Sequence, residues 1–232
     1  MSRELRYCAA RSNNRIDIEF FPAGLHERPE KLNALLKEAI EKTDPGLYDY
    51  ILLNYGLCGN GTLGISHPRL PVVVHHCHDC IPLLFGNKKR HKEWVEKRPG
   101  TYFYSCGWID ELLVPGSPDY EEKYFELYGR EIGKRQQDTI ERILLTNYTH
   151  LVYVYWNELG TGIGDRGREY TKQCLASLNG RFELGLEYDE VEGGPALIQS
   201  LVDGEWEKDG IIMVEPGRTL AFDAPSGVIY AR

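Results

Sequence analysis

The chain is 232 residues long, 42% apolar and 27% charged, the balance of a globular protein able to bury a sizeable core. Its net charge of −8, with no basic stretch interleaved with aromatics, argues against a nucleic-acid or acidic-membrane partner. The opening MSRELRYCAARSNN has no apolar signal core, and the apolar runs fall far short of the roughly 20 residues of a membrane span, so a cytoplasmic protein with no membrane partner is expected.

Short apolar runs alternate with longer amphipathic segments, which predicts an α/β fold. Strands are expected over 5–9, 16–21, 50–54, 72–75, 151–156, 182–187 and 211–214. The segment PEKLNALLKEAIEK puts Leu32, Leu35, Leu36 and Ile40 on one face behind Pro29, which predicts a helix over 29–42. REIGKRQQDTIERILLTN and GREYTKQCLASLNG read the same way, the second closed by Gly180, and ALIQSLVDGEW gives a shorter helix. VPGSPDYEEKYFELYG is the least structured stretch, a lid, a linker or a surface excursion, and the tail EPGRTLAFDAPSGVIYAR reads as a strand and hairpin.

The runs YILL, VVV and LVYVYW are continuously apolar, as in strands covered on both faces by helices. The expected architecture is one α/β domain over 1–232, with a mostly parallel, Rossmann-like sheet flanked by helices. Two similar halves are one way to build it, and a sub-domain boundary is expected near 114–120. In such sheets ligands gather at the carboxyl ends of strands, where YGLCGNG and HHCHDC both fall.

Six cysteines stand at positions 8, 58, 77, 80, 106 and 174. In a reducing cytosol they are not expected to pair as disulfides. Cys8 and Cys174 read as small buried apolar groups. Positions 75–80 hold His75, His76, Cys77, His78, Asp79 and Cys80, with Cys58 on the preceding strand's turn. On an extended segment His76, His78 and Cys80 share one face, and His75, Cys77 and Asp79 the other. A helix starting after His78 would place Cys80 in its first turn, where the dipole lowers a thiol's pKa. Three readings stand side by side. Cys58, Cys80 and a nearby histidine ligate a metal; or Cys77 with Cys80, or Cys58 with Cys80, forms a thiol site without metal; or the residues are structural.

Other residues carry further candidates. Gly56, Gly59, Asn60 and Gly61 suit a backbone nest against a bound cofactor, or simply a turn. Gly162, Gly164 and Gly167 satisfy G-x-G-x-x-G between a strand and a helix, with Glu187 and Asp189 where a ribose-binding acid would lie, so a nucleotide-dependent enzyme is one alternative. Glu158, just past a strand end, is a candidate general base or ligand. Tyr102, Tyr104 and Trp108 around Cys106 read as packing.

The segments YGLCGNGTLGI, HDCIPLLFG, GTYFYSCGW and GEWEKDGIIMVEPG resemble the marker segments of an uncharacterised domain-of-unknown-function family. Its genes often accompany corrinoid-dependent methyltransferases of methanogens and other anaerobes. The resemblance implies that Cys58, His78, Asp79 and Cys80 form the shared set, and it favours the Cys58–Cys80 pairing over Cys77–Cys80. Cys106, His75, His76 and Cys77 fall outside it. The implied function is a metal-thiolate enzyme, a metal-dependent transferase, or an accessory protein of anaerobic one-carbon metabolism. Cys58, His78 and Cys80 would bind a metal ion, zinc foremost, that activates a thiol or small substrate, with Asp79 orienting the imidazole. A corrinoid or iron-sulfur group is a further cofactor candidate, a corrinoid protein or methyltransferase a candidate partner, and a non-catalytic carrier module the other alternative.

Overall fold

A computed structural model of the protein describes residues 1–22, 24–207, 210–225 and 228–232. In chain order it runs α1 (Ser2–Arg11), α2 (Pro29–Lys42), β1 (Ile51–Leu53), β2 (Val72–His75), α3 (Ile81–Phe85), α4 (Lys88–Lys97), β3 (Thr101–Ser105), α5 (Cys106–Glu111) and α6 (Tyr120–Tyr128). It continues with α7 (Lys134–Leu145), β4 (His150–Tyr155), α8 (Thr161–Phe182), β5 (Glu187–Glu192), α9 (Ala196–Asp203), β6 (Ile211–Val214), β7 (Leu220–Asp223) and β8 (Val228–Ala231). Among the described residues no helix is long and apolar enough to cross a membrane.

The chain divides into two compact units. One comprises Leu5–Leu83 with Ala196–Arg232, the other Met1–Glu4 with Leu84–Pro195. In the first, β2 pairs parallel with β1 (Leu53 opposite Val74) and antiparallel with β6 (Val72 opposite Val214), and β7 and β8 form a separate hairpin. The tail expected to form a strand and hairpin holds that pair, and its residues 226 and 227 lie outside the described residues. The α2 face predicted from spacing is the one that packs: Leu32, Leu36 and Ile40 are buried with Leu53, Val72, Val74 and Val214. Burying each such side chain is worth roughly 1.5–3 kcal/mol.

The second unit holds a parallel sheet, β3-β4-β5, with Val152 between Phe103 and Asp189. Tyr104, Leu151, Tyr153, Cys174 and Leu178 form its core. The segment 114–120 lies inside this unit. The Gly116 N–H donates to buried Glu141 at 2.6 Å, the Tyr104 hydroxyl donates to the Pro115 carbonyl, and the Tyr170 hydroxyl donates to Asp119 at 2.6 Å.

The fold is therefore mixed α/β with small sheets rather than one mostly parallel sheet. Several expectations are corrected. Residues 5–9 belong to helix α1, where Glu4 and Cys8, four apart, are buried while Arg6 and Ala10 face solvent; the apolar run was too short to separate the two periods. Residues 16–21 are neither helix nor strand. Helix α8 runs through Gly180 to Phe182 and ends where Glu183 turns left-handed at φ 54, so the strand begins five residues later than expected, at Glu187. Half of the supposed loop 114–129 is helix α6, and the aromatic run TYFYS is strand β3.

Candidate functional site: a paired-thiol centre

Strands β1 and β2 run side by side and release their chains at the same end, so the segments after them are forced together. The Leu57 N–H donates to the Cys77 carbonyl at 2.8 Å and the Cys58 N–H to the His78 carbonyl at 3.0 Å. Only glycine fits at position 56. An added Cβ there would lie 2.7 Å from the Asp79 oxygen and 2.8 Å from the Cys77 oxygen, and both are backbone atoms. The same glycine's N–H points at the Cys80 sulfur, 3.5 Å away.

Beyond Leu57 the backbone turns left-handed for three residues running, with φ 47 at Cys58, 64 at Gly59 and 74 at Asn60. For a non-glycine residue this region costs roughly 1–2 kcal/mol, and two of the three have a Cβ. Surrounding bonds offset that cost. Thr62 donates its hydroxyl to the Gly56 carbonyl at 3.2 Å, and Asn33 on α2 donates to the carbonyls of Gly61 at 3.0 Å and Leu63 at 2.7 Å. Gly61 lets Leu32 press in, since a Cβ there would meet the Leu32 Cδ2 at 2.7 Å. Such strain, held in place by packing, is a recurrent feature of functional positions.

This turn brings the sulfurs of Cys58 and Cys80 to 3.1 Å. Cys58 is 8% exposed and Cys80 is half-buried. The Cys58 S–H and the Gly56 N–H both favour a thiolate at Cys80, and its pKa is held below the ordinary thiol value. The Cys58 pKa is pushed up, because its proton is shared with Cys80 and its surroundings are buried. Tyr55, partly buried beside both thiols, is pushed up to about 12, first by burial and then by their charge.

The other expected ligands are placed differently. His78 is exposed and lies edge-on to Phe222, ring centres 5.6 Å apart. Asp79 Oδ1 accepts the Ile81 N–H at 2.8 Å at the start of α3, the ordinary use of an Asp before a helix. Cys80 precedes that helix instead of lying in its first turn. Among the described residues no three His, Cys, Asp or Glu side chains converge as a metal site. Gly59 and Asn60 are exposed on the turn, while Gly56 and Gly61 are closed in by backbone and by Leu32. Glu158 is exposed on a short turn after β4 and belongs to the other unit, as does Cys106. The Cys106 sulfur lies 3.4 Å from buried Glu4, and burial followed by that carboxylate pushes its pKa up to about 12.

The glycine motif is corrected outright. Gly162, Gly164 and Gly167 are not a loop but the first two turns of α8. Gly167 is there because the Tyr153 ring and hydroxyl lie where its Cβ would be. Asp189, the supposed ribose-binding acid, pairs with Arg98 at 2.9 Å, and Glu187 lies 3.6 Å from His150.

Sequence reasoning missed Asn54 Oδ1 facing His75 Nε2 at 3.2 Å at the ends of β1 and β2. Both residues were visible at predicted strand ends, but their pairing depends on the parallel register.

Residues 20–202 match a family described as protein of unknown function (DUF1638). The chain belongs to that family. The match spans both paired cysteines and most of both units. No curated protein and no solved structure matches the chain.

Proposed function

We propose that the protein works through Cys58 and Cys80 as a two-thiolate centre: a metal-thiolate enzyme or accessory protein acting on a thiol or other small substrate in one-carbon metabolism. The observation that carries this reading is the 3.1 Å approach of two sulfurs held on a strained turn at a strand end. The donor set suits a soft ion such as zinc. Two thiolates on a tetrahedral zinc sit about 3.8 Å apart, so the pair would need to open by about 0.7 Å, within reach of small side-chain rotations. Cys58 and Cys80 would hold such an ion through their two sulfurs, and a substrate thiol would bind to it beside them. His78 becomes a ligand only by swinging away from Phe222, and the proposal does not require it. A bound metal would supply acidification of a substrate thiol at neutral pH. Cys80 and Cys58 bind and orient, and the Gly56 N–H stabilises negative charge on Cys80.

The one-carbon setting rests on the family resemblance, and the Rossmann-like reading rests on the β-α-β-α-β run of the parallel sheet. Neither carries the site. The test is elemental analysis of anaerobically purified protein made without a metal-affinity tag. About one metal ion per chain is expected, with Cys58→Ser and Cys80→Ser each retaining less than about a tenth of it, since two ligands cannot be reduced to one without losing tight binding. Wild-type metal content in both variants would make the assignment wrong.

A further inference from the structure

We propose that the same two sulfurs support a second activity, two-electron thiol–disulfide exchange, with a small-molecule or protein disulfide as oxidant and a Cys58–Cys80 disulfide as product. This rests on the paired-thiol reading of the site but not on metal occupancy. The argument is geometric. A disulfide needs its sulfurs at about 2.05 Å, so the pair must close by about 1 Å, comparable with the opening a metal would require. The two backbones are already tied together by the bonds from the Leu57 and Cys58 N–H groups to the Cys77 and His78 carbonyls, so closure needs no loop rearrangement. The structure thus selects the pair 22 residues apart rather than the C-x-x-C pair that the sequence displays most openly.

Exposure sets the order of events. Cys80 is the more exposed residue of the two, half-buried where Cys58 is 8% exposed, and its sulfur is the one that faces the Gly56 N–H. Cys80, as thiolate, attacks one sulfur of the incoming disulfide. The S–S bond breaks, the other half leaves as a thiolate and takes up a proton, and a mixed disulfide remains on Cys80. Cys58 then loses its proton to solvent and attacks the Cys80 sulfur, expelling the second thiol. The two cysteines are oxidised by two electrons and the incoming disulfide is reduced to two thiols, which take up, through solvent, the proton Cys80 released on ionising and the proton lost by Cys58. The Gly56 N–H, aimed at Cys80, stabilises that sulfur as leaving group when the reaction runs backwards. Metal binding and exchange are mutually exclusive, because each needs both sulfurs.

The experiment uses the full chain, reduced and stripped of metal with a chelator, then equilibrated in glutathione buffers of increasing oxidised fraction. Intact mass and peptide mapping follow the thiols. The expected result is loss of two hydrogens per chain with a Cys58–Cys80 cross-linked peptide. Cys77→Ser should form the same cross-link, and Cys58→Ser should stop at one glutathione on Cys80. Added zinc should slow oxidation of the wild-type chain at least ten-fold. No cross-link in excess oxidised glutathione, or a cross-link that disappears in Cys77→Ser, overturns the proposal. A chain that binds metal but never cross-links loses only the exchange activity. One that cross-links without binding metal, and is not slowed by zinc, loses only the metal reading.

Discussion

Cys80 accepts the Gly56 N–H and lies against the Cys58 thiol, and both contacts favour its thiolate. Cys106 and Cys174 are each pushed up to about 12, mainly by burial. These surroundings fix an order of reactivity, because only the thiolate attacks an alkylating agent. At pH 8 the two buried thiols carry a thiolate fraction on the order of a thousand-fold below that of an ordinary thiol. Iodoacetamide labelling of the metal-free, reduced protein should therefore modify Cys80 first, with Cys106 and Cys174 labelled only on unfolding. The pH dependence has a definite sign. A depressed pKa keeps Cys80 reactive below the pH at which a free thiol fades, and Cys58→Ala, which removes the S–H donor, should move the midpoint upward. Labelling of Cys106 or Cys174 at the Cys80 rate in folded protein would sink this account, as would an unmoved midpoint in Cys58→Ala.

Helix α8 shows how an element can carry a motif's letters without its meaning. Its glycines at 162 and 164 have no atom within 4 Å of an added Cβ, whereas at 167 the Tyr153 ring fills that space. If these residues are helical, Gly162→Ala should raise stability by up to about 1 kcal/mol, because alanine loses less backbone entropy. Gly167→Ala should lower it by about 1–3 kcal/mol, because Tyr153 is almost fully buried beneath it and must move. Urea denaturation of both variants checks the contrast, and a destabilised Gly162→Ala would return these glycines to a loop. Local periodicity made α2 legible to the residue, and made β2 and β6 legible as strands, because those segments are long enough or apolar enough for one period to dominate. It failed at α1, where the apolar run is brief, and at the start of α8, where glycine, a turn residue in isolation, is required by packing. At the site, Cys58 and Cys80 were readable as chemistry. Their 3.1 Å approach was not, since it depends on parallel register, on the fit at Gly56 and on a left-handed Cys58 that no local propensity favours.

At the scale of the chain, the raised groups are unevenly distributed between the two units. Cys106, Cys174, Tyr104, Tyr153, Tyr170 and Tyr188 all belong to the unit built on β3-β4-β5, and burial is the first cause of the upward shift in each. A group whose folded pKa is raised contributes its full stability below its unfolded value and loses it as pH climbs toward the folded one. Unfolded thiols ionise near 9 and tyrosines near 10, so this unit should weaken steadily from about pH 9 upward. In the other unit the upward shifts at Tyr55 and Cys58 are opposed by the depressed pKa of Cys80, which contributes stability above the ordinary thiol value and loses it as pH falls. Alkali should therefore separate the two units' unfolding, which two compact units permit and a single cooperative domain does not. Tryptophan gives the readout, since Trp94, Trp108 and Trp156 lie in one unit and Trp206 in the other. Urea midpoints followed at pH 8, 9.5 and 10.5 in a variant keeping only Trp206, and in Trp206→Phe, should diverge, with the three-tryptophan signal falling faster. Cys174→Ala should flatten that fall without abolishing it, because one of six raised groups is gone. Midpoints that fall in parallel, or a faster fall at Trp206, would mean that these buried groups do not set the alkaline limit.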